Sequence, residues 1–348
     1  MIGFRQRAYV AAKLFRTLGA PDFNNLWRAW NALCCVTSRN GLSPARQPFF
    51  AQIEPTTICN LRCRFCLNPA LPDPRSVLSY DRFIQILDSF PGLLIINLQG
   101  LGEPTLNKDL FRMATEARRR KIYVYTVTNL NLPERVVHRI AESDFNGVNI
   151  SVESVEPGRY AWYRLGGDFA RLESNLRLLA ALRKTNGKDF TIGLWATVTN
   201  DTVDSLEDIF KFAASTGGVD RIQVQLLQNK DNYVVVYDDA LKDQQFSNLQ
   251  EGERKLRQLL RDFSRRYKVS SSLVGGKCRW PWGGLFINAE GLLAPCCNIK
   301  DYKDPLWGDL AQGSSGTAWH SAEWTSLRGG LLTGDFHRSC VGCPSARA

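Results

Sequence analysis

From residue 49 onward, short apolar runs alternate with longer segments in which apolar residues recur every three or four positions. The short runs are typical of strands buried on both faces, and the longer segments predict amphipathic helices. The predicted strands cover residues 50–53, 93–98, 122–127, 148–152, 190–198 and 221–227. The predicted helices cover residues 79–90, 108–119, 133–142, 168–184 and 203–214. Six strands joined through helices predict parallel pairing with right-handed crossovers, in either a doubly wound sheet or a barrel.

The segments that flank this core, which spans residues 49–232, have weaker patterns. Residues 1–48 predict one or two helices, with apolar residues at helical spacing over 9–18 and 26–34. The basic residues of this segment suit either a solvated face or a membrane surface: Arg5, Arg7, Lys13 and Arg16. Residues 233–272 predict a bridging segment with a helix over 249–267. Residues 273–348 predict a small cysteine-rich domain with a hairpin over 284–294.

Composition is that of an ordinary globular protein with an excess of thiols. The 348 residues are 44% hydrophobic and 22% charged, and no run of about 18 apolar residues predicts a transmembrane span. Ten cysteines without a signal peptide indicate a cytoplasmic protein and metal ligation. The formal net charge of +10 would suit a nucleic-acid-binding protein. However, the basic residues are not interleaved with aromatic residues, as they are on a nucleic-acid-binding surface. Nucleic-acid binding is therefore not expected, and an anionic substrate or an acidic partner protein fits the charge equally well.

Three cysteines in one short loop, Cys59, Cys63 and Cys66, carry the strongest chemical signal in the chain. Their Cys-x3-Cys-x2-Cys spacing allows three thiolates to hold three irons of a [4Fe–4S] cube and leaves the fourth iron open. Structural zinc and iron–sulfur sites close their coordination with a fourth protein ligand. Zinc knuckles favour paired Cys-x2-Cys units, and disulfides require an oxidising compartment, so both alternatives fit this loop less well.

This loop resembles the cluster loop of the radical S-adenosylmethionine (radical SAM) superfamily. The resemblance implies that SAM chelates the open iron. It also implies that the reduced cluster cleaves SAM to methionine and a 5′-deoxyadenosyl radical, which abstracts hydrogen from a substrate. The implied fold is α/β, a partial (β/α)6 TIM-like barrel with its site at the C-terminal ends of the strands. Flavodoxin or ferredoxin is the expected reductant.

The resemblance also implies a SAM pocket built from residues at successive strand ends. Leu101-Gly-Glu-Pro104 is similar to the family's Gly-Gly-Glu-Pro motif, so Gly102 and Glu103 are expected near the ammonium group of SAM. The candidates for contacts to its ribose and carboxylate follow the third and fourth strands: Asn129, Ser151 and Glu153. Leucine replaces the usual glycine at position 130, which indicates a different local turn.

Arg164 and Phe65 complete the candidate pocket. Arg164 is expected to pair bidentately with the SAM carboxylate, with an ordinary arginine at a helix entry as the alternative. Phe65 lies between two cluster cysteines. Its ring is expected either to stack near the adenine or to pack the loop.

Cysteines near the C-terminus predict a second cluster. The four candidate ligands are Cys278, Cys296, Cys340 and Cys343. Their pattern resembles the SPASM/twitch extension of radical SAM enzymes, whose short form holds one auxiliary [4Fe–4S] cluster. A zinc ribbon is the alternative that two cysteine pairs equally allow. Together with the cluster of the first loop, this gives an expected total of two clusters. Because four cysteines would ligate the second cluster fully, it is expected to transfer electrons.

Cys297, next to a predicted ligand, has two interpretations. The first is a small buried side chain, which is the usual state of a free cysteine. The second is a catalytic thiol that donates a hydrogen atom to a substrate radical.

The predicted activity is modification of a peptide or a small natural product by hydrogen abstraction, followed by epimerisation, dehydrogenation, crosslinking or cleavage. One alternative is a dehydrogenase or epimerase that acts on a sugar or an aminocyclitol. An alternative from another class is a non-catalytic iron–sulfur or zinc interaction module. A separate peptide-recognition protein is a further expected partner.

Overall fold

The structure is a computed structural model that describes most of the chain. The chain forms two compact units. The described residues are 23–37, 46–68, 75–227, 234, 236–274, 278–299, 307–313, 317–341, 343 and 345–346. Unit 1 takes the described residues between 59 and 74 and between 126 and 275, and unit 2 takes the others. The helix predicted over residues 9–18 lies outside the described residues.

Strands and helices alternate over most of the described chain. The strands are β1 (Phe50–Ile53), β2 (Arg62–Cys63), β3 (Ile95–Leu98), β4 (Tyr123–Thr128), β5 (Gly147–Ser151), β6 (Arg164–Leu165), β7 (Thr191–Val198), β8 (Arg221–Leu226), β9 (Ser270–Val274), β10 (Gly284–Ile287) and β11 (Leu293–Ala294). The helices are α1 (Phe23–Thr37), α2 (Tyr80–Ser89), α3 (Leu110–Arg119), α4 (Glu134–Glu142), α5 (Pro157–Tyr163), α6 (Phe169–Thr185), α7 (Leu206–Thr216), α8 (Asp239–Lys242), α9 (Leu249–Tyr267), α10 (Trp280–Gly283) and α11 (Ala322–Thr333).

Within each unit the strands from the first to the ninth are ordered as in the chain, whereas β10 and β11 extend the order of unit 2 beyond β1. In unit 2 the order is β11-β10-β1-β3-β4, and in unit 1 it is β4-β5-β7-β8-β9, with β4 divided at residue 126. In unit 2, β1 is parallel to β3 and β10, and in unit 1 β5, β7, β8 and β9 pair in parallel. The short strands β2 and β6 form a separate antiparallel pair. A doubly wound sheet would reverse its order at a switch point. In unit 1 no such reversal occurs from β4 to β9, and most strand pairs of both units are parallel, so the predicted α/β class is confirmed.

Helix α6 shows how local sequence sets the predicted elements. Asp168 accepts a hydrogen bond from Ala170 N, which satisfies one of the free N–H groups at the start of the helix and contributes about 1 kcal/mol. Leu172, Leu176 and Leu179 then recur at helical spacing and are fully buried. These signals lie within one short window, so the helix was readable from the sequence.

Two strands differ from the sequence-based expectation. β9 follows α9, where only a bridging segment is predicted, and it pairs in parallel with β8. Its first three residues are partly exposed serines, so the sequence shows no alternation of apolar and polar residues that would indicate an edge strand. The predicted hairpin is present as β10 and β11, but β10 also pairs in parallel with β1. Such pairing joins residues far apart in sequence and leaves no local pattern.

Candidate functional site

The first cysteine loop lies in unit 1, where backbone amides contact its sulfur atoms. Leu61 N donates to Cys59 Sγ at 3.4 Å, and Asn68 N donates to Cys66 Sγ at 3.4 Å. Cys66 N donates to the carbonyl of Cys63 at 3.1 Å and closes a turn between two of the cysteines. Hydrogen bonds to sulfur stabilise its negative charge, so these contacts suit thiolate ligands of a metal centre.

Cys63 lies within electrostatic range of the two other thiols of this loop. The pKa of Cys63 is raised to about 12, mainly by burial, with Arg164 acting against the shift and Cys66, Glu153 and Cys59 acting with it. A buried thiol ionises only when a cation offsets its charge, which a metal centre supplies. All three thiols are free of disulfides.

Within the described part of the chain, no three histidine, cysteine or carboxylate side chains are grouped to hold a metal ion. In a [4Fe–4S] cube each thiolate binds a different iron, so the thiolates need not converge on a single metal ion. The loop supplies three thiols that form no disulfide, two of which accept hydrogen bonds from backbone N–H groups. That donor set fits an iron–sulfur cube with one open iron.

Arg164 and Glu153 form a buried ion pair beside Cys63. Arg164 Nη2 donates to Glu153 Oε1 at 2.7 Å and Nε donates to Oε2, so the contact is bidentate. Side-chain exposure is 8% for Arg164 and 1% for Glu153. Arg164 Nη1 lies 3.6 Å from Cys63 Sγ. Burial lowers the pKa of Arg164, but the negative charges of Glu153 and Cys63 outweigh that effect and raise it. Two candidate SAM contacts thus bind each other, and their roles toward SAM stay predictions.

Phe65 packs against the chain rather than projecting from the loop. Its ring centroid lies 6.4 Å from that of Tyr163, and the guanidinium carbon of Arg164 lies 5.6 Å from it. Phe65 also contacts the buried cluster that includes Leu227 and Leu241. Of the two interpretations of this ring, the contacts of the described residues support loop packing.

Asn129 belongs to a network of amides that starts inside the cysteine loop. Asn129 Nδ2 donates to Asn60 Oδ1 at 2.8 Å, and Asn60 Nδ2 donates to the carbonyl of Asn131 at 3.0 Å. Asn131 N donates back to Asn129 Oδ1 at 2.8 Å. Asn60 and Asn131 were missed as site residues. The only sequence signal is that Asn60 follows Cys59 directly and Asn131 lies two residues after Asn129.

Leu130 adopts a left-handed backbone conformation, which is ordinarily favourable only for glycine. Its φ is +55°, in the left-handed region, and its side chain is fully buried. This conformation costs a non-glycine residue about 1–2 kcal/mol. Asn175 Nδ2, which donates to the Leu130 carbonyl at 2.9 Å, helps to hold the turn. Ser151 ends β5 opposite Trp195 and is half-buried.

Gly102 lies in unit 2, where the backbone approaches it closely. Gly102 N donates to the carbonyl of Thr56 at 3.1 Å, and Glu103 N donates to that of Ile58 at 2.9 Å. A Cβ at position 102 would lie 2.3 Å from the Thr56 oxygen and 2.5 Å from the Ile58 oxygen. Glycine is therefore required for the motif to pair with residues 56–58.

Two buried glutamates of unit 2 bind backbone amides. Glu103 caps the turn that follows it, and its Oε1 accepts from Thr105 N at 3.3 Å and from the Thr105 hydroxyl at 2.8 Å. Glu54 accepts from Leu101 N at 2.7 Å and from Ala289 N at 3.4 Å. Glu54 was missed as a site residue, although a carboxylate that ends the first strand beside Pro55 is a visible signal. Both glutamates shape the segment that contains Gly102.

The four predicted ligands of the second cluster lie in unit 2, where Cys278 is within electrostatic range of the other three. The pKa of Cys278 is raised, mainly by burial and further by Cys296, Cys343 and Cys340. The carbonyl of Cys340 accepts from Cys343 N at 3.1 Å, which closes a turn around the C-terminal pair. The hairpin of β10 and β11 carries the chain from Cys278 back to Cys296. Four thiols that form no disulfide fit the donor set of a fully ligated cluster.

Cys297 is half-buried beside this group. Its Sγ lies 3.9 Å from Asn298 Oδ1. The hydrogen-donor role of this thiol stays a prediction.

Arg328, which the sequence-based search missed, fastens α11 to the segment after Cys278. It is 5% exposed and donates to the carbonyls of Pro281 at 2.7 Å and Trp319 at 2.9 Å. Its guanidinium carbon lies 4.5 Å from the Trp319 ring centroid. Burial lowers the pKa of Arg328 to about 10. A buried arginine is not distinguishable from a surface one by sequence pattern alone.

Two family models match this chain. The first, described as the radical SAM superfamily, covers residues 53–213. The second, described as an iron–sulfur cluster-binding domain of the SPASM type, covers residues 278–344. These two domains imply [4Fe–4S] clusters and SAM as cofactors.

Two curated relatives share about a quarter of their residues with this chain. The PqqA peptide cyclase of Bradyrhizobium diazoefficiens is 26% identical over 85% of this chain and 78% of the relative. A tungsten-containing aldehyde ferredoxin oxidoreductase cofactor-modifying protein of Pyrococcus furiosus is 27% identical over 55% of this chain. The chain spans only 56% of that second relative's length.

The solved structure of Streptococcus suis SuiB bound to S-adenosylmethionine shares the fold. It aligns with a TM-score of 0.70 at 18% identity, over 99% of this chain and 82% of SuiB. SuiB has also been solved bound to its precursor peptide SuiA, and that structure aligns with a TM-score of 0.69. In the described parts of the present chain, no helix is long and apolar enough to cross a bilayer.

Proposed function

Because this chain belongs to the radical SAM superfamily and carries a C-terminal SPASM domain, we propose that it modifies a peptide by abstracting a hydrogen atom. The observation that carries the choice of substrate is the similarity to PqqA peptide cyclase, which extends over 85% of this chain. The shared fold with SuiB, which binds a precursor peptide, agrees with this choice. A ribosomally made peptide is the proposed substrate class, in preference to a sugar or an aminocyclitol.

The proposed ligands of the SAM-binding cluster are Cys59, Cys63 and Cys66. When bound, this cluster and SAM supply the 5′-deoxyadenosyl radical that abstracts hydrogen. The amides of residues 61 and 68 orient two of the sulfur atoms. Asn60 and Asn129 hold the loop against the end of β4.

Arg164 acts in this proposal as a positioning residue. It neutralises the buried carboxylate of Glu153 and presents Nη1 to Cys63 Sγ. Its positive charge favours the ionised form of the Cys63 thiol, which a metal ligand requires. The pair also excludes water from one side of Cys63, since both side chains are almost fully buried.

The C-terminal thiols are proposed to hold an auxiliary cluster. Cys278, Cys296, Cys340 and Cys343 would complete its coordination, so this cluster is assigned to electron transfer. Cys297 remains next to it as a proposed hydrogen donor. An S–H group at this position would favour epimerisation, whereas crosslinking or dehydrogenation would instead return an electron to the cluster.

The remaining partners follow from this chemistry. The proposed reductant is a flavodoxin or a ferredoxin, and a separate protein is proposed to present the peptide. The proposed location is the cytoplasm, where the ten cysteines of the chain would stay reduced.

The peptide assignment is tested with short peptides encoded next to this chain's gene. Each synthetic peptide is incubated anaerobically in deuterated water with SAM, dithionite and the reconstituted protein, and its mass and hydrolysate are measured. A substrate peptide is expected to lose two hydrogens or to gain one carbon-bound deuteron. The second outcome supports a thiol donor and should disappear in Cys297→Ala. If no encoded peptide changes while SAM is still cleaved, the peptide assignment is wrong and the radical chemistry stands.

A further inference from the structure

Helix α1 is oriented with its polar residues inward and its apolar residues outward. Three polar residues are at most 7% exposed: Asn25, Arg28 and Asn31. Leu26 and Trp30 are 58% and 64% exposed, and Leu33 is 50% exposed. These three residues recur at helical spacing and therefore share one face. A surface helix of a globular protein ordinarily has the reverse orientation.

Hydrogen bonds fix the rotation of this helix within unit 2. Arg28 donates to the carbonyl of Leu93 and, at 3.2 Å, to the carbonyl of Arg120, which follows the C-terminus of α3. Asn31 and the backbone of Gln47 bond in both directions, at 2.8 and 3.3 Å. Turning the apolar face inward would break these bonds and expose buried carbonyls. The outward apolar face is therefore a stable feature of the fold.

We infer that the face formed by Leu26, Trp30 and Leu33 inserts into the interfacial region of an anionic lipid bilayer. Charge complementarity supports an anionic bilayer as the partner of this face. Apart from the buried Arg28, residues 1–46 contain six basic residues and one acidic residue, Asp22. An apolar stripe and a basic segment together are the two signals that peripheral membrane binding requires. Tryptophan also prefers the headgroup level of a bilayer.

The size of this face argues against a second copy of the chain as its occupant. The three side chains expose roughly 300–400 Å² in total, whereas a stable dimer buries about 800 Å² on each partner. Insertion into a bilayer has no such minimum area, because the attraction of basic residues to anionic headgroups adds to apolar burial. No helix in the described residues is suited to span a bilayer, so binding at the surface is the form inferred.

The inference is tested by co-flotation of the full reconstituted chain with vesicles. One set contains phosphatidylcholine alone, and the other contains about one-third phosphatidylglycerol. The bound fraction is expected to be at least about tenfold higher on the anionic vesicles, and to fall when about 0.5 M salt screens the charges. The double variant Leu26→Ser, Trp30→Ser should lose most of this binding, and Trp30→Phe should retain it.

The matched control is Leu332→Ser, which removes a leucine that is 39% exposed on α11. It should bind anionic vesicles like the unaltered chain. Far-UV circular dichroism and iron content show whether each variant is folded. Equal binding to both vesicle types, or unchanged binding by the double variant, would overturn the inference. So would a dimer, seen by light scattering, that the double variant converts to a monomer. These readouts are independent of SAM cleavage and of peptide modification.

Discussion

Arg164 clamps the carboxylate of Glu153 with two nitrogens and directs its third nitrogen at Cys63 Sγ. The partners lie 11 residues apart, with Glu153 just after β5 and Arg164 in the short strand β6. β6 pairs with β2, which carries Cys63. One buried ion pair thus connects the end of a core strand to the cysteine loop.

Breaking this pair should destabilise the protein strongly. Glu153→Gln leaves the guanidinium buried without a carboxylate, so the free energy of unfolding is expected to fall by about 3–5 kcal/mol. Urea denaturation under anaerobic conditions measures the change. The control is Glu173→Gln, which breaks the exposed pair between Glu173 and Arg177 on α6 and should cost less than about 1 kcal/mol. Equal losses of unfolding free energy in the two variants would contradict the prediction that burial makes the pair of Arg164 and Glu153 more important for stability.

Gly102 should not tolerate even a methyl group. Gly102→Ala places a Cβ within 2.5 Å of two carbonyl oxygens, so the segment must shift. The free energy of unfolding is expected to fall by about 1–3 kcal/mol, and SAM binding should be lost. Thermal unfolding and isothermal titration with SAM check both effects. Gly329→Ala is the matched control, because a Cβ there meets nothing within 4 Å on the helix α11. It should leave stability unchanged or raised by up to about 1 kcal/mol.

Glu116 should contribute stability that is lost in acid. The hydrogen bond from Arg119 lowers the pKa of Glu116 to about 2, with a second bond from Arg120, against the effect of burial. A depressed pKa means that the ionised carboxylate stabilises the fold above its unfolded pKa of about 4.5, and that this contribution disappears as the pH falls toward 2. Glu116→Gln should remove this part of the pH dependence.

The expected size of the Glu116 contribution is about 1 kcal/mol, because the Arg119 side chain is 69% exposed and solvent screens the pair. Urea denaturation at several pH values between 2 and 5 measures the slope of the unfolding free energy, which should be smaller in the variant. The control variant is Glu251→Gln, which breaks a pair with Arg254 that solvent screens, so it should change the unfolding free energy by less than about 1 kcal/mol. An equal slope in the Glu116 variant and the unaltered chain would contradict the assignment.

The local elements of this fold were predictable, whereas its pairings were not. The helix predicted over residues 249–267 ends where α9 ends, because its apolar spacing and the Asn248 cap lie within one stretch of sequence. The contact between Arg164 and Glu153 has no such signal, since it depends on β6 pairing with β2. Sequence reasoning therefore found both residues as candidates but gave them separate partners.

The same limit explains the residues that were missed. Asn60 and Asn131 act through amide hydrogen bonds that only the folded loop brings together. β9 is an edge strand of polar residues, so its place beside β8 follows from backbone pairing rather than from a hydrophobic pattern. Chemistry carried by residue spacing, as in Cys59, Cys63 and Cys66, was visible at once.

Iron content should distinguish the two proposed cysteine sets. Anaerobic reconstitution is expected to load about eight irons, for two cubane clusters. Cys278→Ala should lose about four of them, because it removes one ligand of the C-terminal set, and Cys297→Ala should lose none. A full iron count in Cys278→Ala, or zinc in place of iron, would contradict the proposed auxiliary cluster.

The most direct test of the central claim is cleavage of SAM by the reconstituted chain under dithionite, followed by chromatography of 5′-deoxyadenosine. The unaltered chain should form this product. Cys63→Ala should form none, and Cys34→Ala, which alters an exposed cysteine outside both sets, should match the unaltered chain. Product formation that survives the Cys63 substitution, or none from the unaltered chain with its clusters loaded, would contradict the claim that this loop generates the radical.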